Sequence, residues 1–542
     1  MFISGQKTNG IFQFDLTSTV KNITIDSLSL IRGKSNFHGG AIYFNGDSLF
    51  VLNSSLTDNE GIYGGAIYSN LTTAQMIIDN SCIKNNKAGN GGGIYSKSLF
   101  DSSICITNSF INDNEVSTDG GGVYGVSIIV DNSEINNNRA YNGAGIYSDI
   151  NYATSFLAIN NSESAFNFVT NKGAGIYVGA LNMKNTVLHS DTAVYGGALY
   201  ISAPSQSITM ISNSTLYNNY AGIGGAIYSI PSDSSFLTID SSVIRNNYGH
   251  HGAGINVTTS IKSVTKILNS EVINNTSFQY GGGVNLSNLH NYTNLQLLVK
   301  NTVIKNNEAT IQGGGIYCQT TGTTDSSKIV VEIDSSVIDS NLSNNGGGIF
   351  IIARADFNSK AISIIDVKNS TISNNVAITN GGGIFVESNT TGSGGTVAES
   401  ESTVNINTST ITSNLAGLKG GGIYVESNSN TSSSSQVKLI NTTMVYNGAG
   451  VYNYTTSPGL DKSETIIESS ILALNGTSLF SDTLISFGYN VFSDATVLGS
   501  VITDQLNVDS MMLNLGSLQS SGGLTFTLIP GVGSVAVDMG SP

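Results

Sequence analysis

The chain of 542 residues has no Trp, 5 Pro, 3 Cys and little charge, with Asp, Glu, Lys and Arg making up 11 %. An ordinary soluble domain carries roughly a quarter charged residues. Charge-rich disorder, coiled coils and helical bundles are therefore excluded, because each needs the missing Glu, Lys, Arg and Leu. No long apolar run occurs, so no membrane helix is encoded. Lys and Arg number 22 against 37 Asp and Glu, a net charge of −15 that repels nucleic acid, and no basic stripe offsets it. Cys82, Cys105 and Cys318 are odd in number and occupy different places in the repeat below, which argues against a disulfide framework. The first residues, MFISGQKTNG, lack the charged and apolar regions of a signal peptide, which leaves another export route or a fragment.

Gly is abundant, at 62 residues, and much of it recurs as pairs of Gly or Ala before an aliphatic residue. From Ile42 and Ile67 to Ile423 and Val451 there are 15 such copies, spaced 23 to 39 residues apart. The third reads MIIDNSCIKNNKAGNGGGIY. Its short alternating segments read as strands, yet no hairpin turn joins them. Such strands pair in parallel with the same strand one copy away. The fold class is therefore all-β, a right-handed parallel β-helix of about 15 coils with three short strands each. The coils occupy 39–475, after incomplete N-terminal coils in 1–38 and before a capping region in 476–542.

Two polar columns support the coil. Three residues after the second aliphatic of each copy stand Asn59, Asn86, Asn114, Asn138, Asn167, Asn219, Asn247, Asn275, Asn307, Asn341, Asn375, Asn414 and Asn447, with the isostere Asp191 as the exception. Three residues before it runs a second column that includes Asn53, Asn80, Asn108 and Asn132. An amide both donates and accepts, so amides stacked at roughly 4.8 Å form a ladder, and Asn also tolerates a left-handed turn. Pro204, Pro231 and Pro458 fall in variable segments and Pro530 and Pro542 in the tail, clear of the ladder strands that they would break. The Gly pair marks a third corner.

Insertions grow toward the C-terminal half: TTGTTDSSK, ESNTTGSGGTVAESEST and ESNSNTSSSSQ read as polar loops forming one frilled edge. The tail carries Leu518, Gly522, Gly523, Thr525, Thr527, Leu528, Pro530, Gly531, Ala536, Asp538 and Gly540, and Gly488-Tyr489-Asn490 precedes it. This tail resembles the C-terminal signature of bacterial surface β-helix proteins of the choice-of-anchor Q type. The Gly-Gly-Ala-aliphatic copies resemble the repeats of chlamydial polymorphic outer-membrane proteins, with an aliphatic residue mostly replacing the Phe of the partner Phe-x-x-Asn motif. The resemblance implies a pectate-lyase-like β-helix at the cell surface, normally with an export signal upstream and an anchor downstream.

The candidate binding surface is a stripe directly after the repeat aliphatic: Tyr43, Tyr68, Tyr95, Tyr124, Tyr147, Tyr177, Tyr200, Tyr228, Tyr317 and Tyr424, with Phe350 and Phe385 in the same place. Period-two alternation turns these rings outward. There they stack sugars or contact protein, or they form a structural aromatic ladder. After the ladder Asn come Glu60, Lys87, Glu115 and Arg139, alternating in sign as a surface zipper. Catalysis on this fold takes carboxylates and cations from adjacent coils. Asp79, Asp131, Asp240 and Asp334 never fall on neighbouring coils, so no catalytic residue is nominated. Glu387, Glu399, Glu401 and Glu426 read as solvated loop acids. His38, His250, His251 and His290 make no cluster, and His189 with Asp191 is a weak pair. No metal or cofactor motif appears. Sequons such as Asn213 and Asn291 are expected by chance in so Asn-rich a chain. Together these features describe an extracellular or cell-surface protein, adhesin-like or structural, whose partners are glycans or host and neighbour surface proteins. The alternative is a polysaccharide lyase or glycoside hydrolase on the same fold.

Overall fold

A computed structural model describes the chain except for residues 16–21, 72–74, 99–102, 153–154, 260–261, 289–293, 323–325, 356–358, 391–398, 430–431, 456–461, 478 and 538–542. His290, Asn291, Pro458, Asp538, Gly540 and Pro542 lie outside the described residues. The chain divides into two compact units, Met1–Pro231 with Leu237–Ile255, and Ser232–Phe236 with Asn256–Pro542.

In the first unit the third copy shows how sequence becomes a coil. Gln75–Asp79 forms a strand of a first sheet, Cys82–Lys84 of a second and Ile94–Ser98 of a fourth. Between the last two lies Lys87–Ala88, a two-residue strand of a third sheet beyond the three expected. Each strand pairs in parallel with its counterpart one copy on, as in Ile78 with Ile106, Ile83 with Ile111 and Ile94 with Val123. Like therefore stacks on like, and the inward Ile, Val and Leu columns form a core from which water is excluded. Coils also form before the first Gly pair, where Phe12–Asp15 pairs with Ile42–Gly46. Alternation suffices for pairing there without the Gly corner.

Asn80 and Asn85 both take positive φ and turn the chain at two corners. The ladder residue is the next one, Asn86, which is buried and not left-handed. For the inner column this corrects the expectation that the ladder Asn itself makes the turn, whereas in the second column Asn80 both turns the chain and donates to Asn53 Oδ1 at 2.8 Å. At the third corner Gly91 has φ +61°, and a Cβ there would lie 2.6 Å from Tyr95 Cβ. Gly is required at that position.

In the second unit the coil widens. Of the insertions, on which the frill expectation falls, 323–325, 391–398 and 430–431 lie outside the described residues. The described residues of the insertions form strands: Ile384–Thr390, Glu399–Asn407 and Ser432–Ile440 pair in register with their neighbours. Their polar composition hides a strict alternation in which Ser400, Ser402, Val404 and Ile406 face inward. The first and fourth sheets come so close there that only small residues fit. Ser427 Oγ donates to Ser434 O at 2.8 Å, Ser402 Oγ donates to Ser388 Oγ at 2.9 Å, and Ala353, Ala355 and Ala361 pack together one coil earlier.

Coil pairing in this unit continues past Asn475, with Leu479 on Val451 and Val491 on Ile471. A short helix, Ser510–Leu513, is capped by Asp509, whose carboxylate accepts from the Met511 and Met512 amides. The antiparallel strands Leu515–Ser520 and Phe526–Pro530 follow. This hairpin lies back along the second sheet. Thr371 Oγ1 donates to Phe526 O at 2.7 Å, and the Phe526 amide donates to Thr371 Oγ1 at 2.8 Å. Leu513 and Leu528 pack on Val445, Ala473 and Val491, which hides the apolar coil end from water.

Candidate functional site

Two side-chain ladders set the frame. Each buried Asn is tied to both neighbours. Asn307 Nδ2 donates to Val272 O at 2.8 Å and to Asn341 Oδ1 at 3.0 Å, while its own Oδ1 accepts from the Asn275 amide and Nδ2. In the first unit the ladder runs Asn59, Asn86, Asn114, Asn138, Asn167, Asp191, Asn219. Asn219 continues it to Asn247. In the second unit Asn275, Asn307, Asn341, Asn375, Asn414 and Asn447 continue the pattern. Sequence reasoning missed a second buried ladder at the preceding corner, where the Ser81 amide donates to Ser109 Oγ and the Ser109 amide to Ser133 Oγ. The signal was a Ser or Thr after each second-column Asn.

The aromatic rings do face away from the core, and in the first unit Tyr43, Tyr68, Tyr95, Tyr124, Tyr147, Tyr177 and Tyr200 stack in one column. Centroid separations run from 4.6 Å for Tyr95–Tyr124 to 5.6 Å for Tyr68–Tyr95. Tyr228 meets Tyr200 edge-on. Outward does not mean exposed here: Tyr200 is 3 % and Tyr228 9 % accessible, covered by Tyr195, Ile150 and Ile223. Ring faces that would hold a sugar are occupied by neighbouring rings. Burial pushes the Tyr95 and Tyr200 hydroxyls up to about 12, and Tyr147 and Tyr177 higher still. Tyr124 donates to Asp149 Oδ2 at 2.6 Å.

In the second unit Tyr317, Phe350, Phe385, Tyr424, Tyr452 and Phe480 form the corresponding column, which begins after a pair of amides, Asn285 donating to Asn256. Here the column beside the rings is polar. The residues Val-Glu-Ser-Asn occur twice, at 386–389 and 425–428, and the register sets Glu387 directly on Glu426 and Asn389 on Asn428. Arg354 stands next to Asn389 on the preceding coil, and Tyr454 next to Glu426 on the following one. Glu387 accepts from Asn389 Nδ2. Glu426 accepts from Asn428 Nδ2 at 3.0 Å and from the Tyr424 hydroxyl at 2.8 Å. Lys419 Nζ donates to the Tyr452 hydroxyl at 2.9 Å and lies over the Tyr452 ring. Burial, and next the Glu426 charge, push the Glu387 carboxyl up to about 7 against the pull of Arg354. The sequence reading placed both acids in loops. Their repeated tetrapeptide was the signal that they stack.

Other candidates separate. His189 faces outward, 3.2 Å from Glu163 and stacked on Tyr217, whereas Asp191 is buried in the amide ladder, so the two do not meet. Asp79 and Asp131 share a column but Thr107 stands between them. Glu399 and Glu401 pair with Lys360. The zipper gives Lys34–Glu60 at 2.8 Å and Lys87–Glu115 at 2.7 Å. Among the described residues no three metal-ligating groups converge.

Stacked parallel sheets, in-register polar ladders and repeated Gly corners define a parallel β-helix repeat protein. Residues 301–319 match the Chlamydia polymorphic membrane protein repeat. No curated protein and no solved structure matches the chain. Among the described residues no helix is long and apolar enough to cross a membrane.

Proposed function

We propose that the chain is a cell-surface, adhesin-like protein that binds glycans through the face around Arg354, Glu387 and Glu426. The observation that carries this is the pair of Glu-Ser-Asn coils stacked in register beside Arg354 and Tyr454. Carboxylates, amides and a guanidinium in one row supply acceptors and donors for vicinal sugar hydroxyls, and an aromatic edge packs on sugar CH groups. The repeat match at 301–319 and the choice-of-anchor Q likeness of the tail support the surface location. In this reading the sealed Tyr column is a scaffold, and binding belongs to the column beside it. A glycan array tests the reading. Wild type retains a defined set of glycans, and Arg354→Ala or Glu426→Gln loses them with the fold intact. An array on which wild type retains nothing overturns it.

A second reading, glycoside hydrolysis, has one observation in its favour. Glu387 and Glu426 occupy facing positions on adjacent coils, about 4.8 Å apart along the backbone. Burial holds Glu387 as an acid near neutral pH, and two carboxyl groups this close are the equipment of a retaining hydrolase. Release of reducing ends from a polysaccharide panel, abolished by Glu387→Gln, would favour it. No release from any polysaccharide retires it.

A further inference from the structure

Outside that face, the outward side of the first sheet differs between the units. In the first unit Phe50, Ile77, Cys105, Ile129 and Ala158 lie side by side in register, an apolar column open to solvent, with Ile129 38 % accessible. The next column along the same strands contains Leu52, Asp79, Thr107 and Asp131. Asp79 accepts from Thr107 Oγ1 at 2.7 Å and Asn108 Nδ2 at 2.8 Å, and Asp131 accepts from Asn161 Nδ2 at 2.8 Å. These neutral donors hold the Asp79 carboxyl below its usual range. Among the described ion pairs none brings a cation to Asp79 or Asp131.

In the second unit the same sheet begins with the opposite sign. Lys262–Leu268 turns Lys262, Val264, Lys266 and Leu268 outward, and the next coil adds Leu298 and Lys300. Over these two coils the outward residues include no carboxylate; from the next coil on Glu332, Asp334 and Asp366 join the face, Asp334 lying 3.6 Å from Lys300. Lys262 and Lys266 belong to none of the described ion pairs. On the strands from Ser48–Leu52 to Ser127–Asp131 in the first unit, and on Lys262–Leu268 and Asn294–Lys300 in the second, the face thus combines apolar area with charge of one sign, and the signs are opposite. Both also share the same strand spacing along the coil direction, about 4.8 Å. Two such surfaces are complementary over the two basic coils, apolar area providing attraction and charge the alignment.

We propose that the acidic apolar face of the first unit binds the basic apolar face of the second unit in another copy of this chain. Each copy carries both faces, so the contact repeats from copy to copy and needs no other partner. The inference is independent of glycan binding, since it uses a different sheet.

Charge reversal on the full chain tests it, read by sedimentation velocity across a concentration series at low salt. Wild type associates as concentration rises. Asp79→Lys with Asp131→Lys makes both faces basic, and Lys262→Glu with Lys266→Glu makes both acidic. Either variant alone self-associates at least about tenfold more weakly. An equimolar mixture of the two variants regains association, because the acidic face of one meets the basic face of the other. All four positions are surface positions, and unchanged circular dichroism verifies the fold. A wild type that stays monomeric to its solubility limit overturns the proposal. So does self-association of either variant at wild-type strength, or a mixture no stronger than its components.

Discussion

The two units use one repeat for different ends. In the first, the coil is narrow, its core aliphatic to the corners, and the aromatic column beside the Gly corner is buried from Tyr147 to Tyr228, where Tyr195, Ile150 and Ile223 pack on it. In the second, the first and fourth sheets lengthen together, Ser and Ala replace Ile where they converge, and the column next to the rings becomes Glu, Asn and Arg. In the first unit the corresponding outward column of the fourth sheet holds Asn45, Asn70 and Lys97, and in the second unit Glu387 and Glu426 take that place. Extra length in a solenoid coil thus adds outward surface while leaving the ladders intact.

If the ladders are common to both units, breaking either should cost the same, and this is the largest effect expected. Asn307→Ala removes the donor to the Val272 carbonyl and the acceptor shared by the Asn275 amide and side chain. Asn138→Ala does the same to Ile111 O and Asn114. Each is expected to lower stability by about 3 kcal/mol in denaturant unfolding. A loss confined to one unit would show that the ladder is structural only there.

The widened interior should reject what the narrow one requires. Ser402→Val adds volume where Ser388 and Ser427 lie against it and strips the hydroxyl that reaches Glu426 O. It is expected to destabilise by about 2 kcal/mol. Thermal unfolding no lower than wild type would mean that the lobe holds spare room.

Legibility in the sequence follows from how local each cause is. The coil, its Asn column, its Gly corner and the outward turn of the rings were legible because each depends on spacing within one copy. The covering of the rings was not, since Tyr195 and Ile223 end strands of the third sheet, which the sequence reading did not include, and Ile150 comes from a variable segment. The Glu387–Glu426 stack was hidden for a related reason. It joins residues 39 positions apart across an insertion whose Ser-rich composition reads as loop until its alternation is counted. The second-unit insertions show the general rule that pairing register, not polarity, decides whether a segment is strand.

Asp191 offers a contrast inside the first unit's own ladder. Its Oδ1 accepts from the Asn167 amide and side chain, while Oδ2 occupies the place where every other ladder residue has an amide donor. Burial raises its carboxyl well above the usual range. The folded state thus favours the protonated acid. This contribution is fully present below the ordinary carboxylate range and declines as pH rises toward the folded value. Asp191→Asn restores a donor, should stabilise by about 1 kcal/mol at neutral pH, and should flatten that part of the pH–stability curve. An unchanged curve would place the pH dependence elsewhere.

The smallest effect separates the two aromatic columns most directly. Tyr424→Phe deletes the hydroxyl that donates to Glu426 Oε2 and should lower stability by about 1 kcal/mol. Tyr177→Phe retains the ring that stacks at 4.6 Å on Tyr147 and 4.9 Å on Tyr200, and its effect should stay within about 0.5 kcal/mol. The Tyr424 hydroxyl also spreads the charge that Glu426 presents to Glu387. Its removal should therefore raise the Glu387 carboxyl above about 7, a shift readable by NMR titration of the Glu side chains. Glu387 is favoured as the acid in the fold, so its share of stability is greatest below the ordinary Glu value and falls between there and about pH 7. Glu387→Gln should abolish that fall. Equal responses of Tyr424→Phe and Tyr177→Phe, with Glu387 unmoved, would mean that both columns are scaffold alone and that the second unit's carboxylates act independently of its rings.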